Sequence, residues 1–254
     1  MCSDENARTT IEARTRLIKR LLVGLVIAAL AGAQAEARKH AARSPHPRVS
    51  QSDPMSPSFA PPRSARADFE GESAPIAVRR MADWVMASAD NGGTPFVIID
   101  KKDAEVFVFD ARGQILGAAP VLLGQAVGDD SAPGVGNKNL SAIPPRDQTT
   151  PAGRFVAYLG HGAHKESILW VDHRDNVALH RVVRGRPGDH RLQRLATPGP
   201  RDKRITFGCI NVPAEFFDQT VLPTFRSTTG IVYILPEVRA TRDFFPDYYD
   251  VDGQ

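Results

Sequence analysis

The sequence predicts a mainly β domain, a small sandwich or barrel-like sheet with a few short helices. Three observations carry that expectation. Short segments rich in β-branched and aromatic residues recur from Pro95 to Leu235, turn residues punctuate them, and the region holds only one strong helical stretch, opening at Pro213.

The elements follow in chain order. Ile76, Val78, Met81, Trp84 and Val85 fall on one face of a short helix that Asn91-Gly92-Gly93 stops, and that face is expected to pack on the domain behind it. Strands are expected at 95–100, 104–110 and 114–123, with Ala111-Arg112-Gly113 as the hairpin turn between the last two. Further strands are expected at 154–159, 168–171, 177–180 and 230–235, and the helix from Pro213 to about Val221. The stretch from Gly124 to Pro151 is rich in Gly, Asp, Asn and Pro and reads as a flexible loop bordering a cleft. It lacks both the alternating acidic residues with a closing Glu of a calcium loop and the Gly-Lys-Ser/Thr of a phosphate loop.

The N-terminal region has a different character. Arg14, Arg16, Lys19 and Arg20 precede an apolar run from Leu21 to Ala33, and small-x-small sites follow at Ala33-Gln34-Ala35 and Ala35-Glu36-Ala37. That is the layout of a secretory signal, with cleavage after Ala35 or Ala37. The run is short for a membrane span, so cleavage is favoured over an uncleaved anchor, which stays open as the second choice, and no stable span is expected after processing. Residues 36–75, with Ser-Pro and Ala-Pro-Pro pairs and few core-forming side chains, read as a disordered Pro/Ser/Arg-rich linker. The expected organisation is therefore a signal peptide over 1–35, the linker over 36–75, a helix within 76–93, a catalytic-type domain over 94–238 and a C-terminal tail over 239–254. Phe244, Phe245, Tyr248 and Tyr249 make that tail aromatic enough to dock. The expected location is outside the cytoplasm, in a periplasm or cell envelope.

Charge excludes one class of partner. The full chain carries +3, but removal of the leader leaves +1, and the excess is concentrated in residues 36–66. No nucleic-acid partner is expected.

Cysteine usage is the strongest pointer to chemistry. Cys2 lies in the leader, so the exported chain keeps one thiol, Cys209, which cannot form a disulfide within its own chain. A thiol attacks a carbonyl carbon as thiolate, which calls for a nearby base or a local positive potential. His180 closes the expected strand Val177-Ala178-Leu179-His180 and is the candidate base. Gly208 permits a tight turn, the amides of Gly208 and Cys209 are candidates for an oxyanion hole, and the helix expected from about Val212 aims its positive end at the sulfur. His161, His164, His173 and His190 lie in expected loops without metal-ligand spacing. Neither a metal nor a cofactor is expected.

In this order, the Thr150-Pro151-Ala152-Gly153-Arg154-Phe155 segment, His180 and the Gly208-Cys209-Ile210-Asn211 block resemble the L,D-transpeptidases (YkuD-domain enzymes) of bacterial cell walls, over roughly Thr94 to Glu237. The resemblance implies an L,D-transpeptidase-like β-sandwich or barrel whose cysteine attacks the L,D amide bond of a peptidoglycan tetrapeptide stem. D-alanine leaves, a thioester forms, and an amine of a second stem resolves it. Carried over by position, Cys209 is the nucleophile, His180 the general base and later acid, the carbonyl of Arg181 the group that orients the imidazole, and Gly208 the oxyanion-hole glycine. Thr206, Phe207 and Asn211 are the implied substrate contacts. Thr206 stands where the family often has serine, Phe207 where it commonly has histidine, and Asn211 where arginine is frequent. Partners implied are stem peptides, with a second stem or a protein lysine as acceptor amine. Two alternatives stay open at this point, an L,D-carboxypeptidase using water and a weakly active or inactive peptidoglycan-binding module of the same fold.

Overall fold

The computed structural model describes residues 66–253. The expected leader, and the expected linker as far as residue 65, lie outside the described residues.

Ten strands form the frame: β1 (Phe96–Asp100), β2 (Glu105–Phe109), β3 (Ile115–Pro120), β4 (Leu123–Gly124), β5 (Gly153–His161), β6 (Ser167–Asp172), β7 (Val177–Arg181), β8 (Arg204–Thr206), β9 (Ile210–Val212) and β10 (Gly230–Ile234). Eight of them make one sheet in the order β3-β2-β1-β10-β5-β6-β7-β9, and β4 pairs with β8 in a second. The large sheet curls until its ends meet. Leu122, just past β3, exchanges backbone hydrogen bonds of 2.8 and 2.9 Å with Asn211 of β9. Of the two expected architectures, the barrel-like one is observed, because a bridged pair of ends leaves few unpaired backbone groups.

Alternation along the strands makes two cores. Val97, Ile99, Val106, Val108, Leu169, Leu179, Ile210, Val212, Val232 and Ile234 point inward, where Phe217, Val221 and Phe225 join them. Phe96, Ile98, Phe107, Phe109 and Tyr233 point the other way and are covered by helix α1 (Ile76–Ser88) through Val78, Met81, Ala82, Trp84 and Val85. β1 and β10 are buried on both faces, which is why they read as unbroken apolar runs rather than alternating ones. Each large side chain buried here contributes about 1.5–3 kcal/mol. α1 stops at Ala89, whose left-handed φ of 55° closes the last turn ahead of Gly92 and Gly93.

Several boundaries depart from expectation. Residues 66–75, assigned to the linker, belong to the domain: Asp68 bridges Gln114 beside β3, and Phe69 is buried edge-on against Phe109 at 5.3 Å. One aromatic side chain and a backbone bridge suffice to anchor a segment whose composition resembles a tether. The helix after Pro213 starts at Ala214, runs as α3 (Ala214–Phe216), widens to a π-turn over Phe217–Val221 and ends as α4 (Leu222–Phe225). Pro223 has no N–H to return to Gln219, and the widened turn sits where that bond would fall. The loop 181–204 contains α2 (Arg191–Ala196), and the C-terminal region contains α5 (Thr241–Phe244). The tail docks: Trp84 Nε1 donates to the Asp247 carbonyl at 3.2 Å and packs edge-on against Phe245 and Tyr248. No helix among the described residues is long and apolar enough to cross a membrane.

Candidate active site

His180 ends β7 and Cys209 immediately precedes β9, and these strands run parallel with Leu179 opposite Ile210 and His180 opposite Asn211. Leu179 and Ile210 point into the barrel core, so the two-residue period turns His180, Asn211 and Cys209 together onto the outer face. Cys209 and His180 are thus diagonal neighbours on the same face of adjacent parallel strands.

The turn that presents Cys209 is tightly built. Gly208 adopts φ +132°, and a Cβ there would stand 2.8 Å from the Thr149 carbonyl oxygen, so glycine is required. The buried Thr150 hydroxyl donates to the Gly208 carbonyl and accepts from the Gly124 N–H, both at 2.9 Å. The Thr206 hydroxyl donates to the Cys209 carbonyl at 2.6 Å and accepts from the Gly208 N–H at 3.2 Å. Two threonines therefore fix the turn from opposite sides. The Cys209 N–H has no protein acceptor among the described residues and is the available oxyanion donor.

The imidazole is fixed at both nitrogens. Nδ1 lies 2.8 Å from the Arg181 carbonyl, which can only accept, so Nδ1 carries the proton. Nε2 then holds the lone pair and accepts from Nδ2 of Asn211 at 3.1 Å. The Asn211 amide is itself oriented, because its Oδ1 accepts from Nη1 of Arg191 at 3.2 Å. Burial pushes the His180 pKa below 6.5; the Arg181 carbonyl and the Glu166 charge oppose that shift, and the Arg191 charge adds to it.

The thiol of Cys209 donates to the Asn176 carbonyl at 3.5 Å, and burial raises its pKa above 9. Burial disfavours the charged form of both the thiol and the imidazole, which runs against the expected sulfur anion. The helix dipole invoked for it is also misplaced. β9 intervenes, and α3 begins only at Ala214, beyond the first-turn range over which a helix terminus acts.

Other expected site residues are placed as follows. Thr206 and Asn211, expected to touch substrate, are 2 and 1 % exposed, and their polar atoms are committed to the Cys209 turn and to His180. Phe207, two residues before Cys209, is 37 % exposed, and it is the one of the three that is open to solvent. Arg181 contributes its carbonyl to His180, while its guanidinium turns away to Asp218 and stacks over Phe217 at 4.4 Å. No group of three or more His, Cys, Asp or Glu among the described residues is arranged to hold a metal ion. Thr149, Asn176 and Arg191 enter the site without any local sequence signal.

A polar cleft of about 480 Å³, lined by Asp130, Ser131, Asn137, Arg174 and Asp175, flanks the turn that carries Asn176. Its wall is the 124–151 loop, whose Gly136 lies flat on the Arg174 backbone, where a Cβ would come within 2.0 Å of the carbonyl oxygen. The loop does border a cleft, although His180, Phe207 and Cys209 are not among the residues that line it.

No family model matches the sequence, and no curated protein sequence matches it. Among solved structures, the chain is similar to the helical cell shape determining protein Pgp2 from Campylobacter jejuni, at 13 % identity and TM-score 0.38 over 59 % of this chain and 51 % of that one. It is similar to an L,D-transpeptidase from Xylanimonas cellulosilytica, at 12 % identity and TM-score 0.35 over 56 % and 60 %. A third is the catalytic domain of an E. faecium L,D-transpeptidase, at 12 % identity and TM-score 0.32 over 56 % and 98 %. The chain spans about half to three fifths of the length of the first two.

Proposed function

We propose that this chain is an exported cysteine acyltransferase that acts on peptidoglycan tetrapeptide stems as an L,D-transpeptidase. The observation that carries the reading is the shared outer face of β7 and β9, which sets a thiol and an imidazole with its lone pair on Nε2 as diagonal neighbours. The three-part leader supports export.

The chemistry runs through general-base activation, since burial disfavours the charged form of both groups. Substrate binding turns the thiol from the Asn176 carbonyl toward Nε2, which Asn211 yields. Sγ then attacks the carbonyl carbon of the L,D amide bond as Nε2 takes the thiol proton. The resulting oxyanion meets the Cys209 N–H, with the Gly208 N–H already committed to Thr206. The tetrahedral intermediate collapses as imidazolium returns its proton to the departing D-alanine amine, leaving a thioester. An acceptor amine attacks that thioester, loses its proton to Nε2, and the proton returns to Sγ. The C–S bond breaks, the product leaves with its new amide bond, and the thiol is restored.

A second reading, a binding module without turnover, draws on the neutral thiol and the occupied Nε2. Incubation of purified protein with disaccharide-tetrapeptide, followed by mass spectrometry of the muropeptides, separates the readings. Cross-linked dimer supports the transpeptidase, tripeptide with free D-alanine indicates a carboxypeptidase, and unchanged substrate bound to the protein indicates the module.

A further inference from the structure

The loop 181–204 returns to the active face. It carries α2, and Arg191 at the start of that helix reaches Asn211 on β9, twenty residues further on. The Arg191 side chain is 11 % exposed; its Nε pairs with Asp189 Oδ2 at 3.1 Å and its Nη1 donates to Asn211 Oδ1 at 3.2 Å. Asn211 is 1 % exposed, so its amide has no water to complete its bonding and depends on these partners.

The two ends of a carboxamide are nearly equal in shape, and which end meets the imidazole follows from what lies on the other side. A guanidinium can only donate. It therefore takes Oδ1 and leaves Nδ2 facing Nε2, which must then be the acceptor. A flipped amide would set its NH2 against the guanidinium and its oxygen against the Nε2 lone pair. The Arg181 carbonyl selects the same tautomer from the other nitrogen.

We propose that Arg191 is a positioning residue for the acylation step: through the Asn211 amide it locks the tautomer and orientation of His180, keeping Nε2 an unprotonated acceptor that Asn211 occupies until the thiol replaces it. The proposal rests on the reading of His180 as the base, but its first test does not. Asp189 braces the guanidinium, and the chain Asp189, Arg191, Asn211, His180 runs without a break from an exposed loop to the base. The groups that bear on the imidazole are Glu166, ahead of β6, Arg191 on α2 and the Arg181 carbonyl on β7. Glu166 favours the imidazolium and Arg191 opposes it. Loss of Arg191 would therefore both free the amide and leave Glu166 unopposed.

The test compares the full exported chain with Arg191→Met and Arg191→Lys. Nitrogen-15 spectra of the imidazole across pH report the tautomer and titration of His180 in the resting protein, with no substrate present. Arg191→Met is expected to raise the His180 titration midpoint and mix its tautomers, with Arg191→Lys close to the parent. Carbapenem acylation of Cys209 should slow roughly 10- to 100-fold in Arg191→Met, the span of one hydrogen bond to a charged group, with its acid limb moved to higher pH. A His180 titration and tautomer unchanged in Arg191→Met would overturn the proposal, even if that variant melts at a lower temperature. If Arg191→Met does not fold, Arg191→Gln, which keeps a donor but not the charge, must still raise the midpoint or the proposal fails. A parent protein that never acylates would sink the transpeptidase reading while leaving the spectra to decide the role of Arg191.

Discussion

His180 and Asn211 stand opposite each other on the parallel strands β7 and β9, and the Asn211 amide donates to Nε2 of the imidazole at 3.1 Å. The imidazole is therefore held by its neighbour in the sheet rather than by the thiol. In the proposed mechanism Cys209 must come to it, and the resting bond to the Asn176 carbonyl breaks readily because a thiol is a weak donor.

Removal of the base should separate chemistry from folding. His180→Ala is expected to slow acylation of Cys209 by roughly 10²- to 10⁴-fold, the usual contribution of general-base catalysis, while circular dichroism keeps the parent spectrum. Stopped-flow acylation kinetics provide the comparison. Equal rates would remove His180 from the mechanism.

The pH dependence has a definite sign. Burial holds the His180 pKa below 6.5, so its neutral form persists to lower pH than in a free histidine, and acylation should hold its rate as pH falls through 6.5. Stability moves the same way. The unfolded chain binds a proton at 6.5 that the folded site refuses, so the His180 contribution to stability is complete above 6.5 and is lost as pH falls from 6.5 to the lower folded value. The thiol points the other way: with its pKa pushed above 9, alkylation by iodoacetamide should keep rising beyond pH 9 rather than level off near neutrality.

Gly208→Ala tests the turn. The added Cβ would meet the Thr149 carbonyl oxygen at 2.8 Å in a backbone conformation that alanine resists. Strain of about 1–3 kcal/mol is expected in urea melts. Displacement of Sγ by about 1 Å would slow acylation about 100-fold. A variant with parent kinetics would show that the turn tolerates movement.

Lys101 anchors the Thr150 segment, whose hydroxyl braces that turn. It is fully buried, and Nζ donates to Asp129 Oδ1 at 2.7 Å, to the Gly128 carbonyl at 2.5 Å and to the Thr150 carbonyl at 3.0 Å. Burial alone would raise the Asp129 pKa, but the Lys101 ammonium and three backbone N–H donors outweigh it and hold it at about 2. Lys101→Met leaves that carboxylate without its cation and should cost about 3–5 kcal/mol, measured by denaturant unfolding. The Asp129 contribution is present above 3.8 and is lost as pH falls from there to about 2.

What the sequence made legible follows from signal length. β1, β2 and β10 each bring five consecutive core residues or nearly so, and α1 brings a face of five, enough for a pattern to stand out. Cys209 and His180 could be singled out as candidates because few other residues could supply a nucleophile and a base, and the pairing of β7 with β9 sets them on one face of the sheet. β8 and β9 are three residues each, too short to show a period, so their presence between the basic loop and the helix was hidden, and with it the displacement of the helix dipole. Thr206 and Asn211 look like surface polar residues, and only the pairing of β9 with β7 and the fold of the Cys209 turn bury them. The reach of Arg191 to Asn211 depends on how a loop returns, which no local pattern encodes.

Intact-mass spectrometry of the protein incubated with a carbapenem, parent against Cys209→Ala, bears most directly on Cys209 as the acyl-accepting nucleophile. The expected result is one adduct per chain on the parent, mapped to the peptide that contains Cys209, and none on the variant. An adduct of equal yield on Cys209→Ala, or an unmodified parent that nonetheless converts tetrapeptide stems, would contradict it.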